Sequence, residues 1–387
     1  MAKTKPLKAL LLHNVVAPYR LPVFEEISRQ LDLTVYFCKT ITADRYWDPS
    51  LDGYTFNRRV LPDFAVGPFF LNPTLVKHLL RERYDVYLVG DFPEMAFATF
   101  ITIAVAKLRR KPVVLWSETV DHEVNYFDHL AASRKLRHRA LRRALTGLIA
   151  IYRRFLLRLP DQFVALSQLA ETFLVKEGVD KNSIHMGIQV MPKAQLGKPD
   201  TAKANSPYAD KKVVLFVGYL RAMKGVDVLI RAFRKVHDPA TQLVIVGDGP
   251  EAAALKQLAR GDKRIKFTGF LNDPHRANLL SWADVMVLPT FADCWGFVVN
   301  ESLYHGTPVI TTSAAGAAEL LQHGENGLVV APRDEIALSR ALEQILGDPK
   351  TQRRMKASAR QLREHITDTA VGARPILEAL KAAGGVQ

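Results

Sequence analysis

The chain has only two cysteines in 387 residues, Cys38 and Cys294, far apart. They form neither a metal-ligand spacing nor a disulfide framework, so a reducing cytoplasm is the expected compartment. Long apolar runs are missing as well. The longest spans residues 96–106 and is broken by Thr99 and Thr102, well short of the roughly 20 residues that a bilayer-spanning helix needs. The basic start, Met1-Ala-Lys-Thr-Lys-Pro6, leads straight into a strand-like run with no apolar region before a cleavage site, which is a poor secretory signal. No Asp-x-Asp pair is present, and no metal is expected. Acidic residues are scarce: 39 Asp and Glu stand against 53 Lys and Arg, a net charge of +14. Such an excess suggests an anionic partner, whether nucleic acid, nucleotide phosphates or an anionic membrane surface. Hydrophobic residues at 48% and charged residues at 24% exclude disorder as the main theme.

The length suits two domains, each able to bury a core. Strand-like apolar runs at 7–13, 33–37, 86–89 and 113–116 alternate with helical patterns at 21–30 and 94–107. Strands separated by helices imply βαβ units and a parallel sheet. The stretch 191–212 is rich in Pro, Ala, Lys and Asp and reads as a linker, after which strand and helix alternate again from Val213 to Thr311. The expected architecture is α/β, with two Rossmann-like doubly wound domains facing a cleft. An N-terminal domain is expected over 1–192, a linker over 193–212 and a C-terminal domain over 213–364. A last helix over 365–387 is expected to return to the first domain.

Three strand-to-helix turns in the second half carry the chemistry. In Val217-Gly-Tyr-Leu-Arg-Ala-Met-Lys-Gly225, Gly218 allows a tight turn, and Arg221 and Lys224 bring cations to a helix N-terminus. Free N–H groups, the helix dipole and two cations suit a diphosphate, although a surface turn with solvated cations shares this local pattern. Gly247-Asp-Gly-Pro250 permits close backbone approach and also suits a plain tight turn. The longest motif runs from Pro289 through Asp293, Gly296, Phe297 and Glu301 to Pro308. Asp293 and Glu301 are carboxylates able to accept hydrogen bonds from sugar hydroxyls, with Gly296 letting the loop approach a ligand. The competing structural roles are a helix cap for Asp293 and an ion pair for Glu301.

In this order and spacing, the segments resemble the C-terminal domain of the retaining family 4 glycosyltransferases (glycosyl transferases group 1), which have the GT-B fold. The resemblance spans about 213–363 well and the first half more loosely. It implies that Lys224 binds the donor β-phosphate, that Glu301 holds the ribose hydroxyls, and that Asp293 contacts the transferred sugar. Backbone around Phe270 and Leu271 would border the base, and Gly316 and Glu319 would lie near the nucleotide. This chain departs from the pattern at two places. The family's phosphate-binding Arg after Gly218 is Tyr219, leaving Arg221 as the replacement. The first Glu of the family's E-x7-E is Asp293, which puts the sugar in question.

In the first half, Ala17-Pro-Tyr-Arg20 resembles a subset of these enzymes, and Arg20 is a candidate for an anionic acceptor. Its alternative is a surface arginine at a helix start. Asp91 follows a strand and is expected to line the cleft. The catalytic-loop position of the family falls on Glu118, with His122 four residues on; register favours the first and chemistry the second. Residues 131–160 hold nine Lys or Arg and no acid. Lys135, Arg139, Arg142 and Arg143 are candidates for contact with anionic lipid.

The function implied is metal-independent, cofactor-free, retaining transfer of a sugar from a nucleotide diphospho-sugar, UDP- before GDP-, to a glycan or lipid-linked acceptor. Cell-envelope polysaccharide or lipopolysaccharide synthesis, at the inner face of the membrane, is the expected setting. The alternatives are a two-domain nucleic-acid-binding protein, which lacks an RNP-like strand, helix-turn-helix or zinc spacing, and a GT-B epimerase or phosphorylase-like enzyme.

Overall fold

The computed structural model describes residues 6–41, 50–66, 69–121, 139–199 and 203–385; in the helix that starts at Arg139, side chains are described from 147 onward. The chain divides into two compact units. One holds the residues up to Ile188 together with those from Thr369, and the other is Gln189–Asp368.

The first unit contains β1 (Lys8–Val15), α1 (Leu21–Ser28), β2 (Asp32–Lys39), β3 (Asn57–Val60), β4 (Phe64–Val66) and β5 (Phe69–Leu71). Next come α2 (Leu75–Arg81), β6 (Val86–Gly90), α3 (Ala96–Leu108), β7 (Val113–Ser117), α4 (Arg139–Leu156), β8 (Gln162–Ala165), α5 (Gln168–Lys176) and β9 (Ile184–Met186). Seven strands form one sheet in the order β3-β2-β1-β6-β7-β8-β9, every pair parallel. β4 and β5 make a separate antiparallel hairpin.

The second unit contains β10 (Lys212–Val217), α6 (Val226–Phe233), β11 (Thr241–Val246), α7 (Ala252–Leu258), β12 (Ile265–Gly269), α8 (Asp273–Trp282) and β13 (Val285–Leu288). It continues with α9 (Val298–His305), β14 (Val309–Thr312), β15 (Gly327–Val330), α10 (Glu335–Gly347), α11 (Pro349–Gln361) and α12 (Arg363–Thr367). Its parallel sheet has the order β12-β11-β10-β13-β14-β15. The last helix, α13 (Thr369–Gly384), packs in the first unit, where the ring of Pro375 lies so close to Gly187 that a Cβ there would sit 2.5 Å from it.

Strands buried on both faces must be apolar throughout. β6, β7 and β13 are buried at every position. In each sheet the chain winds outward from its first strand and then returns to that strand's other side. The order thus reverses between β1 and β6 and again between β10 and β13. Loops leaving the carboxyl ends of strands at such a reversal diverge and leave a crevice.

The stretch expected as a linker is built into the second unit. Met191 N–H donates to Ile366 O at 2.9 Å, Asn300 Nδ2 donates to Gln189 O at 3.0 Å, and His305 Nε2 donates to Leu196 O at 3.0 Å. Its Pro-rich composition reflects irregular backbone that helix α9 satisfies. The crossovers therefore fall at 188/189 and 368/369, several residues from the expected 192/193 and 364/365.

Candidate active site

The β10/β13 reversal joins two of the three motifs of the second half. After β10, the loop from Gly218 ends in a helical turn, Ala222–Lys224, and reaches α6 through Gly225, whose φ is +66°. A Cβ on Gly225 would lie 2.1 Å from Pro289 O, so only glycine lets this loop meet the one that leaves β13. Phe291 N–H donates to Met223 O at 2.7 Å, and Thr290 Oγ1 donates to the same carbonyl at 3.0 Å. The result is that Lys224 Nζ lies 2.5 Å from Asp293 Oδ2, with both side chains largely buried. The third motif braces this loop from behind. Leu220 N–H donates to Asp248 O at 2.8 Å, and Glu251 N–H to Leu220 O at 3.1 Å. The close approach that Gly247 and Gly249 permit is therefore to the backbone of Gly218 and Leu220.

Arg221 does not point away as a solvated cation; its guanidinium stacks 4.6 Å from the centre of the Tyr219 ring. The residue that departs from the family pattern thus holds the residue expected to replace it. Asp293 is fixed through its backbone, its N–H donating to Ala314 O and its carbonyl accepting from Gly316 N. It does not cap α9, whose N-cap is Phe297. Gly296, at φ +99°, faces Leu288, which a Cβ would strike at 2.6 Å; the neighbour it admits is this leucine. Phe297 is half-buried beside it.

Glu301, in the first turn of α9, is buried, with Oε2 3.4 Å from Arg276 Nε on α8. Phe270 is 58% exposed and Leu271 half-buried, both just past the end of β12. Glu319 is exposed in the turn Gly316–Leu320. Trp295 Nε1 donates to Asn300 Oδ1 at 2.7 Å, linking the long motif to the 189–196 segment. That tie had no sequence signal.

The β1/β6 reversal gathers the candidates of the first unit. Arg20 is buried, not a surface arginine, and pairs with Glu118. Its guanidinium lies over Trp116 at 4.6 Å and Tyr19 at 5.2 Å. Asp91 is buried and accepts from Ser117 Oγ at 2.5 Å and Thr119 Oγ1 at 2.8 Å. Beneath them His13 donates Nδ1–H to Val15 O and meets Trp116 edge-on. Burial first, and the Arg20 charge second, push its pKa down to about 3. Ser117, Thr119 and His13 were not singled out from sequence, although all lie on or just after strands that end at this reversal.

His122 and Lys135 lie outside the described residues, as do the side chains of Arg139, Arg142 and Arg143. Among the described residues no group of three or more His, Cys, Asp or Glu converges as for a metal ion, and no helix is long and apolar enough to cross a membrane. A surface cavity of about 260 Å³ lined by Lys8, Asp32, Tyr36, Arg58 and Arg59 opens near the starts of β1–β3, away from these loops.

Residues 198–362 match the family model of glycosyl transferases group 1. The chain is 34% identical over 178 residues to the lipopolysaccharide core biosynthesis glycosyltransferase LpsE of Rhizobium meliloti, covering 44% of this chain and 51% of that protein. It is also 34% identical over 143 residues to an uncharacterized glycosyltransferase of Methanocaldococcus jannaschii, covering 36% and 37%. The match thus spans about half or less of these relatives. A crystal structure of Anabaena HepE in complex with UDP and glucose superposes over 97% of this chain and 100% of that one, with a TM-score of 0.70 and 19% identity. WaaG, a glycosyltransferase involved in lipopolysaccharide biosynthesis, gives 0.62 over 97% and 100% at 17% identity. Residues 198–362, within the second unit, are thus similar to the glycosyl transferases group 1 family, and the chain as a whole has the GT-B fold.

Proposed function

We propose that this chain transfers a sugar, with retention of configuration and without a metal, from a nucleotide diphospho-sugar to a hydroxyl of a glycan or lipid-linked acceptor. The observation that carries the reading is the Lys224–Asp293 pair at the β10/β13 reversal. In this pair Asp293 stands where a phosphate oxygen would otherwise neutralise Lys224. When the donor binds, its diphosphate takes over the ammonium and frees the carboxylate to accept hydrogen bonds from the sugar hydroxyls. Departure of the nucleoside diphosphate builds negative charge on the β-phosphate. Lys224, Arg221 held on Tyr219, and N–H groups at the start of α6 would meet that charge in place. Glu301 is the candidate for the ribose hydroxyls, and the backbone of Phe270 and Leu271 for the base.

UDP is the first candidate because the structurally similar HepE is seen with UDP and glucose. A cell-envelope glycan is the candidate product class because LpsE serves lipopolysaccharide core synthesis. On the first unit, the Arg20–Glu118 pair and Asp91 form the candidate acceptor side, acting at the inner face of the membrane. A thermal-shift screen against UDP-, GDP-, ADP- and dTDP-sugars tests the reading, since a ligand that binds only the folded state raises its melting temperature. One nucleotide class should raise it and be cleaved to the nucleoside diphosphate when acceptor is added. No shift with any of them would contradict the proposal.

A further inference from the structure

The cavity of about 260 Å³ in the first unit takes no part in the site described above. Three of its lining residues, Lys8, Asp32 and Asn57, are the first residues of β1, β2 and β3, whereas the candidate loops leave the carboxyl ends of strands. Its floor is one face of the sheet edge. Parallel register sets Lys8 beside Asp32, Thr34 beside Asn57, and Tyr36 beside Arg59, and residues two apart on a strand share a face. Glu82, just past α2, adds a wall.

Four of these side chains are not used by the fold. Thr34 is only 7% exposed, yet its hydroxyl has no hydrogen-bond partner among the described residues. A buried hydroxyl without a partner carries a desolvation cost that a bound group can remove. The Asp32 carboxylate and the Asn57 amide are also unpaired among the described residues, and Lys8 Nζ meets only the Tyr84 ring, 5.2 Å from its centre. The other polar groups are committed. Arg59 pairs with Glu82 at 3.5 Å and contacts His78, Glu82 accepts from Tyr84 Oη at 2.5 Å, and Arg58 at the rim donates to Tyr54 O and Phe56 O.

The charges select the class of ligand. Lys8 stands beside Asp32 in the register, and Arg59 meets Glu82, so these two pairs balance and give no strong pull on a phosphate or another anion. Side by side, the free carboxylate, amide, hydroxyl and ammonium supply acceptors and donors in close succession. Vicinal hydroxyls require such a set, because each donates one hydrogen bond and accepts another. The volume lies just below the roughly 300 Å³ at which small-molecule pockets usually begin, which admits one sugar ring and not a chain. Tyr36 is 1% exposed and offers no ring for stacking, so recognition here is polar and weak.

We propose that this cavity is a carbohydrate-binding site that takes one neutral monosaccharide ring, free or as a unit of a glycan, on Lys8, Asp32, Thr34 and Asn57. The inference stands on this cavity and goes beyond the transfer reaction. Saturation-transfer NMR on the full chain with glucose, galactose, mannose and N-acetylglucosamine tests it. At least one sugar should receive saturation, with a Kd on the order of 1 mM. In Thr34→Val its affinity should fall about 3- to 10-fold with no loss of melting temperature, because the hydroxyl removed has no partner in the fold. The signal should vanish in the double variant Asp32→Ala, Asn57→Ala and persist in Lys224→Ala. If the double variant unfolds, Thr34→Val alone decides. The methyl glycoside of the bound sugar separates the two sources: equal binding identifies a glycan unit, and loss of binding a free monosaccharide. Saturation of none of the four sugars, an unchanged affinity in Thr34→Val, a signal kept by a folded double variant, or a signal lost in folded Lys224→Ala would each overturn the proposal. The donor screen reads other loops, so its failure would leave this site standing, and failure here would leave the donor reading standing.

Discussion

A lysine and a carboxylate that neutralise each other inside a loop crevice set up a competition that mutation can read. Replacing Asp293 by Asn keeps the shape and removes the anion beside Lys224. Nucleoside diphosphate affinity should then rise several-fold while turnover falls by about 10- to 100-fold, because the sugar loses a charged acceptor. Calorimetric titration and steady-state kinetics would show this split, and a fall in both together would contradict the exchange described above. Two buried histidines give a pH dependence of known sign. Burial pushes the pKa of His13 down to about 3 and that of His305 to about 4. Both stay neutral in the folded chain and gain a proton on unfolding below their ordinary value of 6.5. Stability is therefore full above that value and is lost as pH falls toward 4, by up to about 1.4 kcal/mol per pH unit for each. His305→Gln should flatten this acid limb for the second unit in urea unfolding at pH 5–7; an unchanged slope would contradict the assignment.

The elements that position the site are those whose sequences admit a single role. β6, β7 and β13 are continuous apolar runs buried on both faces, and the strand–turn–helix spacing of the 218–225 and 289–301 motifs is local. These features were legible in the sequence. β3, with the sequence Asn-Arg-Arg-Val, was not: it is an edge strand, and its exposed polar residues are tolerated because only one side pairs, with β2. The docking of the 189–196 segment on α9 was equally illegible, since Asn300 and His305 meet backbone groups more than 100 residues away. Lys224 and Asp293, 69 residues apart, and Arg20 and Glu118, 98 apart, were each legible as candidates but not as pairs, because pairing comes from how loops leave the sheet. Gly225 connects the two levels. Gly225→Ala would place a methyl group against Pro289 O and force an unfavourable φ, a cost of about 1–3 kcal/mol. The melting temperature of the second unit should fall and donor binding should weaken with it; a variant that melts and binds as wild type would show that the two loops do not need this contact.

At the scale of the molecule, the charge of +14 is shared by two explanations, a nucleotide and membrane partner or a nucleic acid. They differ in what salt does. Binding to phosphate backbones through many lysines and arginines falls steeply between about 50 and 200 mM salt, whereas a diphosphate held in a built site depends on a few placed groups. The most direct measurement is therefore isothermal titration of UDP and GDP into wild type and Lys224→Ala at both ends of that salt range. One diphosphate should bind wild type at a single site with little salt dependence, and Lys224→Ala, folded at the temperature of the titration, should bind it at least about tenfold more weakly. Equal affinity in the two proteins, or association only with random DNA at low salt, would contradict the account.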